Sequence, residues 1–333
     1  MRIDRILAAA FVVLVSTAIV GFSTGSSNAS FTGTTTNPNQ SWATSNVTAP
    51  ASLTATSAIA GAVNLSWPAT TTPANGHTVT YLVFRGGVQV GATSSLSYSD
   101  TPASDGTYTY NVQTKVAQGS GFFTSANSPS QSPLSDRTAP TMSATCNGGS
   151  CAGWFNGNVT VVVSGNDGAG VGMGTATTNV DGAGAITSAA PRTVTVSGES
   201  ATHSVVYSGA DALGNASGNT SQTVQIDLTA PTAATGLASS IGLSAGQINL
   251  TWTAGTDALS GVGGYTIHRT NVVTNCPAAT TANYPNTLSV GAVTNTTVTG
   301  LASGSKYCFY LTTTDNAGNS SGASNVAGAT KAK

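Results

Sequence analysis

The stretch GSKYCFYLTTTDNAGNSS, residues 304–321, sets Tyr307, Phe309 and Leu311 at alternate positions and then stops in a run of turn residues. Period-two alternation marks a half-buried antiparallel strand, one side apolar and the other polar. The same pattern precedes it in QINLTWTA, with Ile248, Leu250 and Trp252, and in GGYTIHR, with Tyr265 and Ile267. An earlier block repeats the scheme: AVNLSWPA carries Val63, Leu65 and Trp67, VTYLVFRGGVQVG reads as two strands around a Gly-Gly turn, and DGTYTYNVQTKV alternates Tyr108, Tyr110 and Val112.

These blocks are punctuated by three copies of Thr-Ala-Pro, starting at Thr48, Thr138 and Thr229, which lie 90 and 91 residues apart. Proline fixes φ and removes a backbone donor, so it suits an edge-strand start or a short stiff joint. A spacing of this size is one β-sandwich per block. The expected class is all-β, with three tandem β-sandwich domains after an N-terminal signal peptide.

Composition agrees. Among 333 residues only 6% are charged and the formal net charge is -1. No basic stripe is available to neutralise phosphates, which excludes nucleic acid as a partner class. Thr, Ser, Val, Gly and Asn dominate, favouring short strands and tight turns over helices.

Arg2 and Arg5 precede an apolar run from Ile6 to Phe22, followed by small residues with Ser27 and Ala29 at cleavage-site spacing. Residues 1–29 therefore read as a secretory signal peptide, with an uncleaved anchor as the alternative, since the run sits at the lower limit for spanning a bilayer. The mature chain would be secreted, extracellular or on the cell surface, touching membrane only transiently through that signal.

The outer blocks resemble fibronectin type III domains. The resemblance rests on the inward Trp67 and Trp252, the middle strands with Tyr81 and Tyr265, and the Tyr-x-aromatic-x-aliphatic strands from Tyr108 and Tyr307; Leu301 and Gly304 complete the pattern in the last block, whereas the first has Gly106 without the leucine. It implies that the tryptophans are core and that Tyr108 and Tyr307 turn their hydroxyls onto backbone groups. The middle block, with Trp154, Val159-x-Val161-x-Val163, an Asp-Gly-x-Gly-Val turn, Val205-x-Tyr207, an Asp-x-x-Gly-Asn turn and Ile226-Asp227, resembles a bacterial Ig-like repeat. The resulting division is 47–137 fibronectin type III-like, 138–230 bacterial Ig-like and 231–333 fibronectin type III-like. Residues 30–46, an extended segment with Phe31 and Trp42, resemble the mature start of camelysin-like secreted fibre proteins. That segment is either a linker or a strand donated to a neighbouring sandwich edge.

An even number of cysteines in an exported chain reads as disulfides. Cys146 and Cys151 close a short loop in CNGGSC. The fibronectin-like topology implies that Cys276 meets Cys308 across the outer, solvent-facing side of the last block. A metal reading fails for want of nearby ligands.

Little chemistry is apparent. His77, His203 and His268 fall in three different blocks, so they cannot share a metal site or a triad, and each is expected to be structural or solvated. GLSAG at 242–246 matches a nucleophile elbow, but a strand and not a helix follows it. Asp167, Asp211, Asp257 and Asp315 each lie beside Gly or Asn, as Asx turns require; calcium would need more carboxylates together. No catalytic residue, metal or cofactor is expected. The candidate ligand-contact residues are exposed aromatics: Phe122 and Phe123, placed in a hairpin loop, and Tyr310, placed on the outer face beside Cys308. The function expected is a non-catalytic structural, spacer or adhesion role. The alternatives are a carbohydrate-binding accessory protein of extracellular polysaccharide degradation, or a filament subunit assembled through residues 30–46. Extracellular or cell-wall polysaccharide, or other copies of the chain, are the expected partners.

Overall fold

The computed structural model describes residues 47–71, 78–118 and 121–333. Residues 1–29, expected to be a signal peptide, the 30–46 segment and His77 lie outside the described residues. Two compact units divide after Arg137, and the described residues are built from strands joined by turns.

In the first unit, β1 (Thr54–Ser57), β2 (Val63–Ser66), β3 (Thr78–Arg85), β4 (Val88–Thr93), β5 (Ser97–Asp100), β6 (Gly106–Thr107), β7 (Tyr110–Gln118), β8 (Gly121–Thr124) and β9 (Leu134–Ser135) form sheets of order β1-β2-β5 and β4-β3-β7-β8, plus the short pair β6-β9. The inward residues of both sheets meet in one core: Val63, Leu65 and Trp67 from one, Tyr81, Val83, Tyr110 and Val112 from the other. Trp67 packs against Tyr81 with ring centroids 5.5 Å apart. Gly86 and Gly87, both at positive φ (57° and 81°), make the tight β3–β4 turn that a side chain would strain. Gly91 has a different reason: a Cβ there would lie 2.3 Å from the ring of Tyr98, which crosses β4 to donate its hydroxyl to the Val90 carbonyl at 3.0 Å.

The second unit holds two sandwiches. The first comprises β10 (Thr141–Cys146), β11 (Trp154–Phe155), β12 (Val159–Asn166), β13 (Met173–Val180), β14 (Ile186–Ala189), β15 (Arg192–Val196), β16 (Ser200–Asp211) and β17 (Thr220–Ile226), in sheets β10-β12-β15 and β11-β17-β16-β13-β14. Val159, Val161 and Val163 on one sheet face Ala176, Val205, Tyr207, Val224 and Ile226 on the other. The short β11 runs parallel to β17, with Trp154 opposite Gln225.

The second sandwich of this unit comprises β18 (Thr235–Ile241), β19 (Ile248–Thr253), β20 (Val262–Arg269), β21 (Asn286–Gly291), β22 (Asn295–Val298), β23 (Lys306–Asp315) and β24 (Ala327–Lys331), in sheets β18-β19-β22 and β21-β20-β23-β24. It repeats the strand order of the first unit. Its core joins Ile248, Leu250 and Trp252 to Tyr265, Ile267, Tyr307, Phe309 and Leu311, and Trp252 meets Tyr265 nearly edge-on at 5.3 Å.

Shared details follow from shared sequence. After β8 and before β24 the ladder ends, and serine hydroxyls serve as acceptors for buried amides: Ser128 for Val112 N (3.0 Å), Ser125 for Thr114 N (2.9 Å), Ser324 for Leu311 N and Ser321 for Thr313 N (both 2.8 Å). Arg85 stands over the Tyr108 ring and Arg269 over the Tyr307 ring, at 5.4 and 5.1 Å. One buried difference between the two sandwiches brings a polar group with it. Tyr110 carries a hydroxyl that needs a partner, and Asp100 accepts from it and from Arg85, both at 2.7 Å. Burial and that bond push the Tyr110 phenol up. Phe309, at the matching place opposite Arg269, needs none.

Candidate functional site

Both disulfides form. Cys146 and Cys151 are joined across a tight turn in which Asn147 and Gly148 adopt positive φ, 49° and 79°, the conformation an Asn-Gly turn favours. Cys276 and Cys308 are joined with a Cα–Cα distance of 5.6 Å. Such bonds belong to an oxidising compartment.

The environment of Cys308 corrects the expectation of a solvent face. Cys308 points away from the inter-sheet core, yet it is 0% exposed and Tyr310, offered as a ligand contact, is 3% exposed. Residues 270–285 fold back as a strap over this face and create a second small core of Tyr284, Cys308 and Tyr310, with Val273, Cys276 and Ala279 packed on it. The strap is held by Val273 N to the Lys306 carbonyl at 3.0 Å, by the Thr270 hydroxyl accepting from Cys308 N at 3.0 Å, and by the Tyr284 hydroxyl donating to the Pro277 carbonyl at 3.0 Å. His268 is likewise buried and not solvated: its ring stacks on Tyr310 at 4.4 Å and 6°. Nε2 meets the Thr312 hydroxyl at 3.2 Å, Nδ1 has no partner, and burial lowers the His268 pKa. Tyr310 is therefore a packing residue.

Phe122 and Phe123 are 61% and 55% exposed. They lie on the edge strand β8 and not in a loop, paired with Ala117 and Val116 of β7. The pairing sends Phe122 to the outer face of the sheet, where the Lys115 ammonium stands 4.4 Å from its ring centre, and Phe123 to the inner side at the open margin of the sandwich. Leu82 and Phe84 of β3 are half-buried on that outer face. Phe122 thus presents an exposed ring on the edge strand with the Lys115 ammonium beside it.

Four of the aspartates are engaged in turns. One oxygen of Asp211 accepts from the amides of Leu213, Gly214 and Asn215 at 2.8, 2.6 and 2.9 Å, and the other from the Asn215 side chain at 2.6 Å. Asp315 repeats the arrangement with Gly318 N (2.7 Å), Asn319 N (2.8 Å) and the Asn319 side chain (2.8 Å). Asp167 accepts from Gly172 N at 2.7 Å, and Asp257 from Leu259 N and Gly261 N at 3.1 and 2.7 Å. Asp211 and Asp257 thus make the expected Asx turns, reaching the amide two residues on, whereas Asp315 bonds the amides three and four residues on, Asp167 reaches Gly172, and Asn166 makes the Asx turn with Gly168 N at 2.9 Å.

Asp227 was not singled out, because the sequence signal is only an acidic residue ending a strand. It joins the two sandwiches of the second unit: its carboxylate accepts from Thr229 N (3.1 Å) and from Ser260 N (3.0 Å), while its carbonyl accepts from the Asn319 side chain (2.9 Å). Burial pushes its pKa up, but the hydrogen bonds from Ser260 and Thr229 outweigh that and hold it below the usual carboxylate range. One carboxylate oxygen each of Asp227, Asp257 and Asp315 lie within 4.8 Å of one another, and amide donors already engage all three side chains. Asp227→Ala is expected to cost about 2 kcal/mol, from the loss of two charge-assisted bonds at a buried site; urea unfolding of the second unit measures it.

No family model matches the chain. Exoglucanase B of Cellulomonas fimi is 31% identical over 291 residues, which are 83% of this chain and 25% of that protein; the chain thus spans about a quarter of this relative's length. Among solved structures, the FN1–FN3 domains of chicken CNTN1 align over 86% of this chain and all of theirs at 17% identity and a TM-score of 0.40. A three-domain piece of titin aligns over 86% of this chain and 96% of its own, at 14% identity and a TM-score of 0.38. An Fn3-like protein from Clostridium thermocellum aligns over 32% of this chain and 96% of its own, at 25% identity and a TM-score of 0.23. The fold assignment rests on strand order. Three strands facing four, with a tryptophan on the second strand and a tyrosine whose hydroxyl bonds the preceding corner (Tyr108 to the Ser104 carbonyl, 3.0 Å; Tyr307 from Ala302 N, 3.0 Å), make the outer sandwiches fibronectin type III folds, with an Ig-like sandwich between them in sequence.

Proposed function

We propose that the chain is a non-catalytic, extracellular array of sandwich modules that serves as spacer and support in polysaccharide breakdown. The observation that carries this reading is the use of the acidic side chains. Glycoside hydrolysis requires two carboxylates flanking the scissile bond, one of them free to protonate a leaving group. Here Asp211, Asp227, Asp257 and Asp315 are bound to the backbone of the turns they shape. The likeness to part of an exoglucanase supports the setting, and the two disulfides support an extracellular one.

A second reading is favoured by Phe122 and Phe123, two rings more than half exposed on opposite faces of one edge strand, with Lys115 beside Phe122. Each exposed ring would contact a polysaccharide by stacking on a sugar face. The test is retention of the purified chain on insoluble cellulose and other polysaccharides. If this surface binds, Phe122→Ala with Phe123→Ala lowers the affinity about tenfold or more, two stacking contacts of about 1 kcal/mol each. No retention of the parent chain on any polysaccharide would leave the spacer role and remove the binding one.

A further inference from the structure

We propose that His203 is a proton-operated clasp, which fastens the β13–β14 turn to the β15–β16 turn of the Ig-like sandwich and releases it as the medium becomes alkaline. The geometry is unusual in its chemistry. Nδ1 lies 2.7 Å from an Asp181 carboxylate oxygen and Nε2 lies 3.1 Å from the Gly198 carbonyl. Both partners are acceptors. A neutral imidazole has one N–H and can satisfy only one of them, whereas the imidazolium donates to both. The fold has therefore built a site for the charged form.

The surroundings reinforce it. Asp181, at φ 50°, is fixed in turn by Ser204 N, which donates to its other oxygen at 2.7 Å. β17 presents Val224 opposite His203, so no charge faces it from that strand. The other charged group on these turns, Glu199, is engaged by the Thr229 hydroxyl at 2.8 Å. Burial disfavours the imidazolium, but the bonds to Asp181 and Gly198 outweigh it and raise the His203 pKa above its ordinary value of 6.5. The folded state thus holds the proton more tightly than the unfolded chain. The clasp contributes fully below pH 6.5 and is lost as pH rises through the raised value.

The test needs no variant to begin. NMR titration of the His203 ring in the full chain should give a midpoint above 6.5, with both ring nitrogens protonated below it. Protection of the Ser204 amide, corrected for intrinsic exchange, should fall with rising pH by about tenfold for each unit of elevation. Asp181→Asn should lower the midpoint, and His203→Gln should abolish the pH dependence of protection while the sandwich stays folded. A midpoint at or below 6.5, a neutral single tautomer at pH 6, or unchanged pH dependence in His203→Gln would overturn the proposal.

Discussion

Replacing Cys276 and Cys308 together by alanine is expected to lower the stability of the last sandwich by about 4 kcal/mol. The crosslink spans a sequence separation of 32, and the chain-entropy model assigns a loop of that size roughly this value. The loss has a structural location. Without the bond the strap at 270–285 keeps its hydrogen bonds to the backbone of residue 308 and of Lys306 but loses its covalent anchor, and Tyr284 and Tyr310, now 0% and 3% exposed, gain a route to water. Removing Cys146 and Cys151, whose separation is 5, should cost about 2 kcal/mol by the same model. Guanidinium unfolding of the two double variants, monitored by tyrosine fluorescence, compares them directly. Equal losses, or a loss below about 1 kcal/mol for the Cys276–Cys308 pair, would contradict the view that the longer loop is the principal staple.

The second large effect is expected at Asp211. Its carboxylate is 3% exposed and receives three backbone amides and one side-chain amide. Asp211→Ala leaves those donors unsatisfied in a buried turn, at a cost of about 3 kcal/mol or more. Asp211→Asn keeps an acceptor for the backbone amides but turns an amide group toward the Asn215 side chain, so an intermediate loss is expected. A catalytic carboxylate would behave in the opposite way, since active-site residues are generally removed with little loss of stability. Denaturant midpoints of the two variants distinguish the roles: the order parent, Asn, Ala in falling stability fits a turn acceptor, and parent-like stability in both variants does not.

Much of the fold was legible because period-two alternation reports directly on which side of a strand faces the opposing sheet. Trp67, Trp252, Tyr265, Phe309 and Leu311 could be placed from that pattern alone, and the Asx turns at Asp211 and Asp257 from Asp near Gly and Asn. The same rule failed for the surroundings of Cys308 and Tyr310. Alternation says which way a side chain points but not what covers it, and the covering strap is an irregular segment whose apolar residues, among them Val272, Val273, Cys276, Ala279 and Tyr284, follow no strand period. The Phe122-Phe123 pair failed for a related reason. Two adjacent aromatics break the alternation and suggest a loop, whereas an edge strand near the sandwich margin can leave both faces open. His203 and Asp181 stand 22 positions apart, with nothing in the sequence to join a lone histidine to a turn aspartate; only the return of β16 alongside β13 brings them together. Asp227 was missed because its partners, Thr229, Ser260 and Asn319, come from two sandwiches.

The most direct test of the non-catalytic reading is release of reducing ends. The full chain, purified with both disulfides intact, is incubated with soluble and insoluble β-glucans and other plant polysaccharides across pH 4 to 9. No release above buffer is expected at any pH. Turnover that persists through purification and disappears in Asp227→Asn, Asp257→Asn or Asp315→Asn, with folding retained, would contradict it.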